Sequence, residues 1–183
     1  MKKSKFFTNL IQTGQFSVGE DGRVLLMGEY LLLIPPLVMI KLRENIEKEI
    51  GKEKTKKIFQ YIGSFHIKQA LERYKERYKI QNYDKRKLLE FVMDSANILG
   101  YGKIVIKKIS FKEKICDVIV ENSTIAEKYK TIKNNLSEPV DDYICGMIKE
   151  GTSAFFGVEM EVNEIKCLAK GDPYCEFIAV PKS

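Results

Sequence analysis

The chain has 183 residues, of which 44% are hydrophobic and 31% charged, and its formal net charge is +6. This balance is typical of a globular protein, and the length suits one domain. We therefore expect a single domain over 1–183, in which 1–15 form a flexible or dimer-contacting arm. The apolar run 31–40 is interrupted by two prolines and is too short to span a membrane, and no apolar signal segment follows the basic N-terminus. These features predict a cytoplasmic protein.

The positive charge does not by itself favour nucleic-acid binding. Basic side chains alternate with acidic ones in 41–49 and 72–77, a pattern typical of solvated helix faces. Abundant Lys, Glu and Ile with a single His favour a heat-adapted, archaeal or thermophilic source. Four cysteines in an intracellular chain indicate thiols or metal ligands rather than disulfides.

The first half of the chain predicts one hairpin followed by helices. Short apolar runs at 16–18 and 23–27 flank an Asp-Gly turn, which is a hairpin signal. Apolar side chains then recur at helical spacing in 36–50, 54–79 and 84–99. Glycines after the first and third of these segments predict where each helix ends.

The second half predicts strands around two further helices. Strands are expected at 104–109 and 115–120, and a helix at 125–133 capped by Ser123 or Thr124. Pro139 predicts the start of a helix to Phe156, whose internal glycines suggest close approach of another backbone or a ligand. A terminal hairpin is expected from 158–168 and 175–180. The fold class is therefore α+β, with central helices packed on an antiparallel sheet.

A candidate metal site lies in this terminal hairpin. Cys167 and Cys175 flank a Gly-Asp-Pro turn, and Glu164 precedes the first cysteine by three residues. Thiolates and carboxylates are ligands that Zn²⁺ accepts in a tetrahedral site. Residues three apart on a regular strand face opposite sides, but the apolar phase slips between Val162 and Ile165. We therefore predict a β-bulge at 163–165 that turns Glu164 towards Cys167.

The fourth ligand is open between two residues. Asp141 and Cys145 are one helical turn apart, so either could reach the same point. Cys116 lies in an apolar strand and is expected to be a small core residue. The alternative is that the cysteines are ordinary core residues beside a surface glutamate.

The tail resembles the 4-vinyl-reductase domain family, whose pattern combines Pro-Val-Cys, a glycine-containing helix and Glu-x-x-Cys-x-x-x-Gly-x-x-x-Cys-x-Phe. The chain matches at Pro139-Val140, Gly146, Gly151, Gly157, Glu164, Cys167, Gly171, Cys175 and Phe177. The family includes sensory domains of aromatic-responsive, NtrC-type regulators, in which the Glu and Cys residues hold a structural zinc. The resemblance thus implies Zn²⁺ at Glu164, Cys167 and Cys175, while Asp141 stands where the family has a cysteine.

The resemblance also implies a fold and a role. The fold is similar to that of the transport-particle subunits that carry acyl chains, in the nitric-oxide signalling and Golgi transport fold, and dimers are implied. The implied role is a stand-alone sensor or binding domain with a pocket for a hydrophobic or aromatic small molecule. Candidate pocket residues are Tyr61, Phe65, His66, Tyr129, Tyr143 and Phe155. Each could equally be a core aromatic, and His66 a surface residue.

Two other functions stay open. The chain could be a dimeric interaction or scaffolding module, or an accessory protein in tetrapyrrole vinyl reduction. No nucleophile elbow, phosphate-binding glycine loop or dinucleotide fingerprint is present in the sequence. The sequence therefore favours a binding protein over an enzyme.

Overall fold

The computed structural model describes residues 5–78, 93, 96–134 and 136–182. The chain divides into two compact units, Met1–Pro35 and Pro36–Ser183. The expectation of one domain over 1–183 stays a prediction. Among the described residues, no helix combines the length and the apolar stretch needed to span a membrane.

The first unit contains one helix and a small antiparallel sheet. Helix α1 spans Lys5–Gln12, and strands β1, β2 and β3 span Phe16–Val18, Val24–Leu26 and Glu29–Leu31. The strands pair in the order β1-β2-β3. The predicted hairpin is confirmed, because β1 pairs with β2 across the Asp-Gly turn.

The second unit begins with two helices joined by one residue. Helix α2 spans Pro36–Ile50 and helix α3 spans Lys52–Tyr78. Gly51 between them has φ of +80°, a left-handed conformation that favours glycine. It ends α2 where the sequence predicts. The helix predicted at 84–99 lies mainly outside the described residues.

The larger sheet is antiparallel and combines distant parts of the chain. Strands β4 (Lys103–Ser110) and β5 (Ile115–Glu121) pair with each other, and β7 (Cys175–Pro181) joins β5 to β6 (Met160–Lys166). Helix α4 (Thr124–Lys133) follows β5, with the predicted Ser123 cap accepting from the Ala126 amide. Helix α5 spans Asp142–Phe156. The predicted α+β class is confirmed.

Helices α3 and α5 cross with their backbones in contact. A Cβ added to Gly146 would lie 1.9 Å from the Gln60 carbonyl oxygen, and one added to Gly63 would lie 2.0 Å from the Tyr143 carbonyl oxygen. Ser64 Oγ also donates to the Gly146 carbonyl oxygen at 3.0 Å. The close approach predicted at Gly146 is therefore confirmed.

The start of α5 differs from the prediction. The helix begins at Asp142 rather than Pro139, and Asp141 takes the N-cap position. The Asp141 amide donates to a carboxylate oxygen of Glu164 at 3.0 Å, and its φ and ψ of −87° and 42° are not helical. A contact with a distant strand thus sets the first residue of this helix.

Candidate metal centre and apolar cavity

Three segments converge at the end of β6. They contribute one possible ligand atom each from Asp141, Glu164, Cys167 and Cys175, and these four atoms lie within 4.8 Å of one another. The two sulfurs and the Asp141 carboxylate are buried, and Glu164 is half-buried. Sequence positions up to 34 apart therefore meet at one point.

A β-bulge brings Glu164 to this point. Along β6, Glu164 pairs with Phe177 on β7 and Lys166 pairs with Glu176, which leaves Ile165 without a partner. The side chain of Ile165 is 46% exposed, so the phase of the strand changes there. As a result Glu164 and Cys167 face the same side although they are three residues apart. The bulge predicted at 163–165 is confirmed.

A tight turn positions the two sulfurs. The residues after Cys167 form a 3₁₀ helix, Leu168–Lys170, and the Cys167 carbonyl oxygen accepts from the Lys170 and Asp172 amides at 2.9 and 3.2 Å. The Asp172 carboxylate accepts from the Cys167 amide at 2.8 Å, and the Leu168 amide donates to Cys175 Sγ at 3.3 Å. The two Sγ atoms are 4.0 Å apart. Two thiolates on a tetrahedral zinc with Zn–S bonds near 2.3 Å would be about 3.8 Å apart.

Each carboxylate is anchored by one oxygen and leaves the other free. Asp141 Oδ2 accepts from Ser123 Oγ at 2.6 Å, and Glu164 Oε2 accepts from the Asp141 amide. Asp141 Oδ1 and Glu164 Oε1 are buried and have no hydrogen-bond partner. A buried carboxylate oxygen without a donor costs free energy, which a cation between the two oxygens would offset. The donor set therefore fits a divalent metal.

The acidic groups perturb one another in the metal-free site. Burial raises the pKa of Asp141 to about 6 and the pKa of Glu164 to about 11. The hydrogen bond from Cys175 lowers the pKa of Cys167 to about 7, and the same bond together with burial raises the pKa of Cys175. Crowded acids of this kind are held in their charged forms only when a cation is bound.

The other two cysteines lie apart from this group. Cys145 is buried one turn into α5, where burial raises its pKa, and its amide donates to the Asp141 carbonyl oxygen at 2.9 Å. It is not among the four clustered donors, so the structure brings Asp141 rather than Cys145 to the site. Cys116 on β5 is 1% exposed.

Sequence patterns did not indicate the role of Ser123 at the site. Its hydroxyl caps α4 and also holds the Asp141 carboxylate. Only the first of these contacts is local, and a cap signal carries no information on a partner 18 residues away. The link between Ser123 and the metal centre was therefore accessible only from the structure.

An apolar cavity lies between α3, α5 and the sheet. Its volume is ≈ 30 Å³, and the hydroxyl of Thr152 is a polar group on its wall that donates to the Ile148 carbonyl oxygen at 2.7 Å. It is lined by Ile67, Met93, Ala96, Ile104, Ile106, Cys116, Val118, Met147, Ile148, Gly151 and Thr152.

The predicted pocket residues lie elsewhere, and none lines this cavity. Tyr61 and Phe65 are 69% and 51% exposed on α3, with their rings stacked at 6.4 Å. His66 Nδ1 and the Tyr143 hydroxyl are 2.6 Å apart, and burial lowers the pKa of His66. Tyr129 is buried beside α2, and Phe155 packs against two other phenylalanine rings. That these six residues form a ligand pocket stays a prediction.

Comparison with known proteins identifies the family. A model of the 4-vinyl-reductase domain matches residues 116–181. The uncharacterized protein MJ0855 of Methanocaldococcus jannaschii is 30% identical over 79% of this chain and 70% of its own length. The chain belongs to the 4-vinyl-reductase domain family. The region matched by the family model contains all four clustered donors.

Solved structures confirm the fold of this family. The phenol-responsive sensory domain of the transcription activator PoxR, solved with phenol, has a TM-score of 0.79 at 17% identity over 98% of this chain and 92% of that chain. A vinyl-4-reductase family protein from Methanocaldococcus jannaschii has a TM-score of 0.55 at 16% identity, covering 84% and 85%. A trafficking protein particle complex subunit 3 from Naegleria fowleri, covalently bound to palmitic acid, has 0.58 at 12% identity, covering 81% and 93%. The predicted similarity to transport-particle subunits is thus confirmed for the fold.

Proposed function

We propose that this 4-vinyl-reductase domain protein is a cytoplasmic sensory domain that binds a small hydrophobic molecule and holds one structural zinc ion. The apolar cavity between α3, α5 and the sheet carries the proposal. Its wall joins two helices and two strands of the same unit, so a molecule bound there would contact elements that are far apart in sequence. The fold shared with the phenol-responsive sensory domain of PoxR supports the same assignment.

The cavity limits the size and polarity of the ligand. A volume of ≈ 30 Å³ is about the share of one water molecule in the liquid, so the wall has to open for any organic ligand. Met93 and Met147 line it, and methionine side chains adapt readily to a new shape. A compact, uncharged molecule fits these properties. A tetrapyrrole is many times larger, so the cavity gives no support to that alternative.

Thermal unfolding with small hydrophobes tests the proposal. Phenol, toluene and short alcohols should include at least one compound that raises the melting temperature in a saturable manner. Val118→Phe places a ring in the cavity and should abolish the shift. Val105→Phe, on the opposite face of the sheet, should retain it. A shift that survives Val118→Phe unchanged would place the ligand elsewhere.

Zinc is proposed as the ion because two thiolates and two carboxylates can complete a tetrahedron. With four protein donors no position remains open for water, so the ion would stabilise the fold rather than catalyse a reaction. The free oxygens of Asp141 and Glu164 support this assignment. Metal analysis of the purified protein should find one zinc per chain.

A homodimer is a second element of the proposal, supported by an exposed apolar stripe on α3. Ile58, Tyr61, Ile62 and Phe65 recur at helical spacing and are between 38% and 69% exposed. An apolar stripe of this kind is typical of interfaces between protein chains. Analytical ultracentrifugation should find a dimer that Phe65→Glu converts to a monomer. Lys68→Glu, three residues along the same helix, serves as the control for added charge.

A further inference from the structure

A second depression, which we call the α2–α4 cleft, lies between these two helices and the segment that leads to α5. Its volume is ≈ 610 Å³, within the range of about 300–1,000 Å³ that is usual for small-molecule sites. All its lining residues belong to the Pro36–Ser183 unit. They are Lys41, Arg43, Glu44, Glu47, Lys48, Lys52, Tyr129, Lys133, Leu136, Ser137, Glu138, Pro139 and Val140.

Arg43 is a buried cation on the wall of this cleft. It is 8% exposed, which is rare for arginine unless every donor is used. Its Nη1 donates to Glu47 at 3.0 Å and its Nη2 to Asp142 at 2.7 Å. The remaining donor, Nε, is buried without a hydrogen-bond partner. One guanidinium donor in the cleft therefore lacks an acceptor.

Tyr129 presents a second donor of the same kind. The residue is 2% exposed, yet its hydroxyl has no hydrogen-bond partner. Burial raises the pKa of Tyr129 and the nearby Arg43 guanidinium opposes that rise, so the two groups are neighbours. The Lys133 ammonium lies 5.9 Å from the centre of the Tyr129 ring, so one face of the ring meets a positive charge. Buried tyrosine hydroxyls normally find a partner, because an unpaired one costs free energy.

The charges around the cleft favour an anion. Five basic and three acidic side chains line it. Lys41 and Lys133 both pair with Glu44, whose Oε1 atom faces the Lys133 ammonium, and Lys52 pairs with Glu138. The positive surplus remains after these pairs are formed. The two unpaired atoms of Arg43 and Tyr129 are both donors, so the missing group has to supply acceptors.

We propose that the α2–α4 cleft binds a small organic oxyanion, a carboxylate or phosphate carried on a compact apolar body. The oxyanion accepts from the Tyr129 hydroxyl and the Arg43 Nε, and the apolar body packs against Leu136, Pro139 and Val140. This site is separate from the apolar cavity and does not depend on the proposed sensing of an uncharged ligand. The Arg43–Asp142 pair ties it to the first residue of α5, next to Asp141 of the metal centre.

Calorimetric titration of the purified protein tests this assignment. Benzoate and phenyl phosphate carry the two candidate anions on the same ring, and benzamide is the uncharged counterpart. At least one anion should bind, and benzamide should bind about tenfold more weakly or worse, because hydrogen bonds to charged groups are the stronger ones. The relative affinities of benzoate and phenyl phosphate identify which oxyanion the cleft prefers.

Tyr129→Phe removes only the hydroxyl and should weaken anion binding by about tenfold. Because that hydroxyl is unpaired in the free protein, its removal should leave the melting temperature equal or higher, whereas a purely structural role would lower it. Tyr61→Phe, on the exposed face of α3, should change neither property. Lys48→Glu, at the exposed rim, should also weaken anion binding, and provides the test should Tyr129→Phe fold poorly.

Three results would overturn the assignment. These are no binding of either anion, equal binding of benzamide, or Tyr129→Phe and Lys48→Glu proteins that both bind benzoate as the unmodified protein does.

Discussion

The metal centre and the apolar cavity lie in the same unit, and they constrain their ligands in different ways. At the metal centre two buried carboxylate oxygens lack partners, and two sulfurs stand at a spacing that suits one ion. The cavity wall contains Thr152 as a polar group, and its hydroxyl already donates to a backbone oxygen. Unpaired polar atoms therefore specify the chemistry of the first ligand, whereas shape and volume alone limit the second.

Removal of a sulfur should have the largest effect. We expect Cys167→Ser to lose the bound zinc and to destabilise the protein by several kcal/mol. The loss should stay below the ~10–16 kcal/mol measured for zinc-finger peptides, because this unit also has a hydrophobic core. Metal analysis and chemical unfolding measure both quantities.

Cys116→Ser is the matched control, since Cys116 is equally buried but lies outside the four-donor cluster. It should retain the full zinc content. If Cys167→Ser also retained one zinc per chain, the four clustered residues would not be the binding site. The contrast between a metal centre defined by its atoms and a cavity defined by its volume would then disappear.

The helix crossing beside the cavity should show an intermediate effect. Alanine in place of a helical glycine usually adds about 0.5–1 kcal/mol of stability. Gly146→Ala should have the opposite sign and cost about 1–3 kcal/mol, because its Cβ would lie 1.9 Å from the Gln60 carbonyl oxygen. Thermal unfolding measures the change, and a stabilised variant would contradict the close crossing.

The same substitution sharpens the comparison of the two sites. Ile67 on α3 and Met147 on α5 both line the cavity, so separating the helices should enlarge it. Gly146→Ala should then accept larger hydrophobes in the thermal assay, while its zinc content stays unchanged. Loss of zinc from this variant would show that the two sites are not independent.

Local patterns predicted much of the framework. Alternation and the phase slip at Ile165 were enough to place the terminal hairpin and its bulge, because both depend on neighbouring residues. The start of α5 was wrong, since it depends on a hydrogen bond from Asp141 to a strand more than twenty residues away. The choice between Asp141 and Cys145 failed to resolve for the same reason, as one helical turn separates two chemically suitable residues.

The cavity was the least predictable feature. Aromatic residues were expected to line it, but its wall consists of aliphatic side chains, two methionines, a cysteine, a threonine and a glycine. Such residues are common in any core, so composition cannot distinguish a cavity wall from packed interior. The space depends on how α3 and α5 cross, which is fixed by contacts between distant glycines and backbone oxygens.

The smallest expected effect concerns pH and separates metal-free from metal-bound protein. Burial raises the pKa of Glu164 from 4.5 to about 11 in the metal-free fold. Between these values the folded state holds a proton that the unfolded chain has released, so stability falls as pH rises. A bound cation keeps Glu164 ionised and reverses the sign, so the metal-bound protein loses stability as pH falls.

Thermal unfolding between pH 5 and 7 measures these slopes after chelation and after zinc loading. Glu164→Gln should remove the downward slope of the chelated protein, which cannot exceed about 1.4 kcal/mol per pH unit for one proton. Glu161→Gln, an exposed glutamate on the same strand, should leave it intact. Below pH 7 the lowered pKa of Cys167 adds little, because that thiol is mostly protonated in both states. Equal slopes for chelated and zinc-loaded protein would mean that no cation meets Glu164, and the metal centre would then be no better defined than the cavity.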